Sequence, residues 1–169
     1  AYYNCRKLTG APVCGDEVEE MWDTYKDCIS LTGSPVCGYY VSDMDNAYRN
    51  CQNLTGNAAC GNYVKYMTNT YNNCQKLTTA VVGPNLNYAD GTYYNCKNLT
   101  NAFIYSNRLS SAESLFGGTN NSKRLNVYVP MTGETLNTVL TTNSYSIVGA
   151  SITWSNGSNY HYNTGYNIY

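Results

Sequence analysis

The residues best suited to chemistry in this 169-residue chain are its eight cysteines, a residue type that binds metals, forms disulfides and acts as a nucleophile. A zinc site needs closely spaced pairs of the type C-x₂₋₄-C. The first seven cysteines are instead nine or fourteen residues apart in alternation, and the only histidine, His161, lies far from them in SNYHYNTGY. The sequence therefore predicts no metal site, and we expect no cofactor.

Disulfides stay an open alternative on spacing alone. Five cysteines recur at one repeat position, namely Cys5, Cys28, Cys51, Cys74 and Cys96. Equivalent positions of neighbouring parallel strands are about 4.8 Å apart, within the Cα separation that a disulfide spans. A column of five cannot pair completely with itself. Spacing also leaves the redox state of the other three undecided, which are Cys14, Cys37 and Cys60.

No pattern of side chains indicates catalysis. The chain has no G-x-S-x-G motif, P-loop or H-E-x-x-H motif, and no motif surrounds His161. We therefore expect no catalytic residue and predict that the chain is not an enzyme. Acidic residues do cluster, at Asp16, Glu17, Glu19, Glu20 and Asp23, and again at Asp43 and Asp45. The DMDN run resembles the start of a calcium loop, but Tyr48 stands where such a loop requires Gly, so a solvated acidic edge is expected.

The composition points away from charged partners. Charged residues make up 12% of the chain and the net charge is −1, so neither nucleic acid nor an anionic membrane surface is an expected partner. No apolar run approaches the length of a membrane span, and we expect no membrane insertion. The first ten residues, AYYNCRKLTG, lack the regions of a signal peptide and begin inside a motif, so a fragment, a processed product or an incomplete chain is expected.

Tyrosine is the unusual residue here, with nineteen copies against two phenylalanines. Tyrosine rings stack on sugar faces and Asn amides bond hydroxyl groups, so the combination suits surface carbohydrate. Four tyrosines fall outside the apolar repeat columns of adjacent repeats and are candidate binding residues: Tyr39, Tyr40, Tyr63 and Tyr66. That they are ordinary exposed tyrosines is an equally open alternative.

The candidate residues are carried by internal repeats. The cysteine column above has spacings of 23, 23, 23 and 22 residues, and self-similarity at this period predicts a solenoid. Apolar columns follow the same period, and stacked coils bury such columns together. One is Leu8, Leu31, Leu54, Leu77 and Leu99; a second is Tyr2, Tyr25, Tyr48, Tyr71 and Tyr93. A third is Val18, Val41, Val64 and Leu86; a fourth is Met21, Met44, Met67 and Ala89; a fifth is Val13, Val36, Ala59, Val82 and Ile104.

Local patterns predict an α/β repeat solenoid. The runs that begin at Leu-Thr are short and broken by Gly and Pro, which favours short parallel strands on one face. The V-x-x-M-x-x-x-Y-x-x-C run has spacings of three, four and three residues, which predicts helical or 3₁₀ turns on the opposite face.

The repeat AYRNCQNLTGNAACGNYVKYM resembles the BspA-like leucine-rich repeats, a bacterial, protist and phage branch of that superfamily, in its order of aromatic residue, Cys, Leu-Thr, strand, Val and Met. The resemblance implies a leucine-rich-repeat fold over residues 1–105 and a cysteine column of free, buried thiols. Tyr replaces the family's Phe, and Cys-Gly follows three of the strands.

The pattern loosens after residue 105. Residues 106–130 are interpreted as a degenerate last repeat, with Leu109, Ala112, Phe116 and Leu125 in the apolar positions and LNVYVP as its strand. Residues 131–169 are predicted to form a small β-rich C-terminal cap. We expect a capped short helix near Thr132 or Gly133, and final strands in SITW and YNIY; a separate assembly module is the alternative.

The order of RLNVYVP, SIVGASITW and YNTGYNIY also resembles the ends of repeat proteins encoded among phage tail genes. This resemblance implies a non-enzymatic virion protein, such as a tail fibre or tail-tip domain, which binds host surface glycan or neighbouring subunits and is oligomeric. The alternative is a bacterial cell-surface adhesin or extracellular filament subunit.

Overall fold

The computed structural model describes residues 1–106, 108–119, 125–128, 153–156 and 160–162. Successive repeats stack as coils, which we number one to five over residues 2–24, 25–47, 48–70, 71–92 and 93–115. Backbone hydrogen bonds join each coil to the next. Isolated parallel bridges join one column of residues in all five coils, called the bridge column below: Glu20, Asp43, Tyr66, Tyr88 and Ser111.

The strands are short and begin only in coil three. Their bounds are Gly56–Asn57 (β1), Leu77–Val82 (β2), Asn101–Ile104 (β3), Asn126–Tyr128 (β4), Thr153–Asn156 (β5) and Tyr160–Tyr162 (β6). They form one sheet in sequence order, parallel from β1 to β5, with β6 antiparallel to β5. The leucine runs of coils one and two form no strand.

The expected α/β solenoid with helical or 3₁₀ turns is wrong, because the described residues contain no helix and only short strands. Each V-x-x-M-x-x-x-Y-x-x-C run is a series of turns. Some of its backbone N–H groups donate to a carbonyl three residues earlier in the same coil, and others donate to a carbonyl of the next coil. The Tyr48 N–H donates to the Thr70 carbonyl of the next coil at 3.0 Å, whereas the Cys51 N–H donates to the Tyr48 carbonyl at 3.0 Å. An α-helix requires donation to the residue four positions back, so these donors are committed to turns and to neighbouring coils.

Left-handed residues explain why no helix forms. They occupy two columns four positions apart, with φ angles between 52° and 65°: Asp23, Asn46, Asn69, Gly91 and Ser114, and then Asn4, Asp27, Asn50, Asn73, Asn95 and Gly118. Asn, Asp and Gly tolerate this conformation better than other residues, and a left-handed residue in every turn stops a right-handed helix. Side chains in the second column also bond between coils: Asn95 Nδ2 donates to Asn73 Oδ1 at 2.7 Å and Asn73 Nδ2 to Asn50 Oδ1 at 3.1 Å.

The core follows the predicted columns on the inside of the stack. The buried leucine row is confirmed in coils two to five, while Leu8 of coil one is partly buried. The methionine column is buried throughout, and so is the tyrosine column except for the exposed Tyr2. Rings of the buried tyrosines stack from coil to coil, with centroids 5.5 Å apart between Tyr48 and Tyr71.

The hydroxyl groups of these core tyrosines explain why they are not phenylalanines. The Tyr71 hydroxyl donates to the Ala59 carbonyl at 2.7 Å and accepts from the Ala59 N–H at 3.1 Å, so it satisfies two backbone groups across the coil. Tyr48 makes the same pair of bonds to Val36, and Tyr25 to Val13. Such pairing removes the cost of burying a hydroxyl group.

The same hydrogen bonds show that the fifth apolar column was predicted incorrectly at Val13 and Val82. Val13 is 73% exposed rather than in the core, because its backbone, not its side chain, meets the tyrosine. In coil four the equivalent residue is Val81, which bonds to Tyr93, and not the buried Val82. The column shifts because coil four is one residue shorter than the first three, within the segment that begins at Leu77.

Parts of the predicted tail fall on described residues. The apolar roles of Leu109, Ala112, Phe116 and Leu125 are confirmed by their burial, and β4 lies in the expected LNVYVP segment. In the predicted cap, β5 overlaps SITW, and His161 lies in β6. The helix expected near Thr132 and the strand expected in YNIY lie outside the described residues.

Candidate functional site

Three of the four candidate tyrosines form one exposed cluster, which we call the tyrosine cluster: Tyr39, Tyr40 and Tyr63. The ring centroid of Tyr39 lies 4.9 Å from that of Tyr40 and 5.4 Å from that of Tyr63, and the interplanar angles are 89° and 65°. All three side chains are about half exposed. A hydrogen bond with Tyr63 is the main cause of a raised pKa at Tyr39. The cluster is therefore held by its own contacts while it remains open to solvent.

The fourth candidate, Tyr66, belongs to a separate arrangement that includes a residue the sequence analysis missed. Tyr66 stacks on Tyr88 of coil four, with ring centroids 5.4 Å apart and an interplanar angle of 6°. Both are bridge-column residues and both are about 40% exposed, at 40% and 39%. Tyr88 occupies in coil four the position that Tyr66 occupies in coil three, and it was missed because the candidate residues were taken from coils two and three only.

The local fold explains why these side chains point outward. Tyr39, Tyr40 and Tyr63 lie in turns, and the valines that follow these turns, Val41 and Val64, are the residues that enter the core, so the tyrosines stay on the outside. The turn before them is closed by the Val41 N–H, which donates to the Gly38 carbonyl at 3.3 Å. Glycine is needed at position 38, since a Cβ there would lie 2.4 Å from the Gly15 carbonyl oxygen of the preceding coil.

Exposed carboxylates lie in coil one, which is adjacent to the coil that carries Tyr39 and Tyr40. Asp16, Glu17, Glu19 and Glu20 of coil one are exposed, and the Tyr40 N–H donates to the Asp16 carbonyl at 3.4 Å. Within the described part of the chain the only salt bridge is that between Lys26 and Asp23, at 3.1 Å. The predicted acidic edge of coil one is thus solvated, as expected.

The expectation of a solvated edge is wrong for the DMDN carboxylates, Asp43 and Asp45, which are half-buried and accept backbone hydrogen bonds. The Asp43 carboxylate accepts the Asp45 N–H at 2.7 Å, and the Asp45 carboxylate accepts the Thr68 N–H of the next coil at 2.6 Å. Desolvation by burial raises the pKa of Asp45. Asp90 repeats this role in coil four, where its carboxylate accepts the Glu113 N–H at 2.6 Å.

The repeated cysteines form a column of free thiols along the core. The Cys74 thiol donates to the Tyr48 carbonyl at 3.0 Å, and Cys51 and Cys96 make equivalent bonds to Tyr25 and Tyr71. Burial raises the pKa of Cys51 and Cys96 from 9.0 to about 12. The expectation of burial is wrong for Cys5, which is exposed in coil one.

The second cysteine column packs against glycines. A Cβ at Gly61 would lie 3.1 Å from the Cys37 sulfur, and one at Gly83 would lie 2.6 Å from the Cys60 sulfur. Cys14, Cys37 and Cys60 are half-buried free thiols, and burial raises the pKa of Cys37 to about 11 and that of Cys60 to about 12. Their repeat therefore has a packing role between coils.

We expect thiol reactivity to follow this arrangement. Cys5 should be alkylated first in the native protein, whereas Cys51, Cys74 and Cys96 should react only after denaturation, because their thiols are buried, protonated and hydrogen-bonded. Pulsed alkylation with and without urea, read by mass spectrometry, measures each site. Four intact disulfides in the native protein, or equal labelling rates at Cys5 and Cys74, would contradict the thiol column.

Among the residues that the structure describes, no group of three or more His, Cys, Asp or Glu side chains is placed to hold a metal ion. The same residues include no helix of the length and hydrophobicity that a membrane span requires. No family model matches the chain, and no curated protein or solved structure matches it either.

Proposed function

We propose that this chain is a non-enzymatic binding domain of a virion, in a phage tail fibre or tail tip, and that it presents its repeat surface to host surface glycan. Contact with a neighbouring virion subunit is the second use of the same surface. The order of motifs in the tail supports the virion setting. The observation that carries the proposal is the exposed set of tyrosines, namely the tyrosine cluster together with Tyr66 and Tyr88.

The chemistry of this surface suits a sugar. Exposed aromatic rings offer apolar faces on which pyranose rings stack, and their hydroxyl groups both donate and accept hydrogen bonds. The rings are fixed by neighbours in adjacent coils, so little side-chain entropy is lost when a ligand binds. The carboxylates of coil one disfavour polyanions, which leaves neutral glycans as the favoured ligands.

A bacterial cell-surface adhesin or extracellular filament subunit is the alternative setting for the same binding surface. The full-length gene and its neighbours discriminate between the two. Adjacent tail genes support the virion protein, whereas an export signal or a wall anchor in the full-length gene supports the adhesin.

Replacing Tyr40 and Tyr63 together by Ala is expected to weaken glycan binding about 30-fold, because two aromatic contacts of about 1 kcal/mol each are lost. Binding is measured on an array of neutral and anionic glycans. The wild-type protein is expected to bind neutral glycans with nearly the same affinity at about 50 mM and about 500 mM salt, since stacking is insensitive to screening.

Circular dichroism and thermal unfolding of the double variant provide the control, and both should stay close to wild type because the two side chains lie outside the core. Wild-type binding that collapses at high salt would show that charge, not stacking, drives attachment. Unchanged binding of a folded double variant would exclude the tyrosine cluster.

A further inference from the structure

We propose that the exposed tyrosines bind one extended, neutral, β-linked glycan chain that spans coils two to four and contacts two tyrosine pairs at once. The first pair is Tyr40 with Tyr63, and the second pair is Tyr66 with Tyr88. This inference rests on the proposed function and adds the class of ligand and its direction across the coils.

The rings of both pairs are between 39% and 50% exposed. Within the second pair the rings are nearly parallel and cover each other, so only their outer faces can accept a sugar. The bridge column continues with Asp43 beyond Tyr66 and with Ser111 beyond Tyr88. Both neighbours are shorter than tyrosine, so a step is present at either end of the pair where a pyranose ring can stack.

The first pair lies one coil earlier and is tilted rather than stacked, and Tyr39 packs against both of its rings. Its ring centroids are 6.0 Å apart with an interplanar angle of 38°. At the repeat spacing, Glu17 precedes Tyr40 and Asn85 follows Tyr63. The Asn85 amide is fixed by donation to the Asn62 carbonyl at 2.8 Å. Each pair therefore lies between a carboxylate on one side and a short polar side chain on the other, and these groups match the hydroxyl groups of a sugar.

The two pairs meet in coil three and are offset by one coil. Tyr63 and Tyr66 are three residues apart, so their Cα atoms are at most about 11 Å from each other. A monosaccharide covers one ring face only. A linear chain of several sugars reaches both pairs, and β-linked pyranoses form the extended ribbons that present a flat face to successive rings.

Charge restricts the glycan to neutral sugars. Four exposed carboxylates lie in coil one and Asp43 lies beside Tyr66, whereas Lys65 is the only basic residue in the segment 52–75 that carries Tyr63 and Tyr66. Uronate, sulfate or phosphate groups on a bound chain would meet this negative charge within a Debye length.

The test is calorimetric titration of the whole chain with N-acetylglucosamine oligosaccharides of two, four and six residues. We expect affinity for the hexamer to exceed that for the dimer about tenfold or more, because the second contact is intramolecular. Tyr88→Ala should reduce hexamer affinity about 2- to 10-fold and flatten the dependence on length. Tyr3→Ala, which removes an exposed tyrosine in coil one, is the matched control and should change neither.

The outcomes separate this inference from the proposed function. Equal affinity for all oligosaccharide lengths, or an unchanged length dependence in Tyr88→Ala, overturns the inference that one glycan chain contacts both tyrosine pairs. Loss of binding in the Tyr40 and Tyr63 double variant would still support a glycan-binding surface. Absence of binding by every oligosaccharide overturns the inference. Absence of binding to every neutral glycan on the array overturns the proposed function as well.

Discussion

Leu54→Ala is expected to lower the free energy of unfolding by about 2–5 kcal/mol, because it leaves a cavity in a closely packed row. Leu54 is fully buried in coil three, between Leu31 and Leu77 of the coils on either side. Because buried leucines of both neighbouring coils flank the site, both the transfer term and the cavity term contribute.

Urea denaturation of wild type and variant measures this loss. Thr55→Ala is the control, because Thr55 is adjacent in sequence but exposed, and its substitution should change the stability by no more than about 0.5 kcal/mol. A loss below about 1 kcal/mol in Leu54→Ala, or an equal loss in both variants, would show that the leucine row is not the core.

Asn73→Ala is expected to destabilise the chain by about 2–5 kcal/mol, although Asn73 is only half-buried. Its φ angle of 64° costs an ordinary L-residue roughly 1–2 kcal/mol. Its side chain also links three coils, since it accepts from Asn95 at 2.7 Å and donates to Asn50 at 3.1 Å. Loss of these bonds adds about 0.5–1.5 kcal/mol each.

Asn73→Gly separates the two contributions, because Gly tolerates the left-handed conformation but cannot make the side-chain bonds. Gly118 occupies this column in the structure with a φ angle of 65°. The Gly variant should therefore be more stable than the Ala variant by about 1 kcal/mol or more. Equal stability of the two, measured by urea denaturation, would mean that the backbone at this position carries no conformational requirement.

The stacked core could be predicted from the sequence because apolar residues recur at the 23-residue period of the repeats. A column of leucine or methionine at 23-residue spacing has one explanation, which is contact between like positions of neighbouring coils. The turns could not be predicted from the same columns. Spacings of three, four and three residues between Met, Tyr and Cys occur both on a helix face and in a series of turns.

The sequence does distinguish turns from a helix, but it does so through its polar residues rather than its apolar columns. Asn46 with Asn50, and Asn69 with Asn73, recur four positions apart in the repeats, and Asn is a weak helix former that tolerates positive φ. The apolar columns do not include these asparagines. The backbone N–H groups of the same asparagines donate to carbonyls of the next coil, whereas in a helix they would donate to carbonyls of the helix itself.

The candidate site was predicted in part. Tyrosines outside the apolar columns are exposed, as the columns imply, and three of the four come together in the tyrosine cluster. Val82 was misplaced because the one-residue deletion in coil four lies before it, so the equivalent of Ala59 is Val81. Tyr88 was missed because the candidates were taken from coils two and three only. Aligning repeats on cysteine alone does not locate that deletion.

The most direct test of the account is a nuclear magnetic resonance titration of the chain, labelled in its tyrosine rings, with an N-acetylglucosamine hexamer. The rings of Tyr40, Tyr63, Tyr66 and Tyr88 are expected to shift and broaden together at one ligand affinity. The buried rings of Tyr48, Tyr71 and Tyr93 serve as internal references and should stay unchanged. Perturbation confined to other parts of the chain, or no perturbation of any exposed tyrosine at saturating hexamer, would contradict a glycan-binding role for this surface.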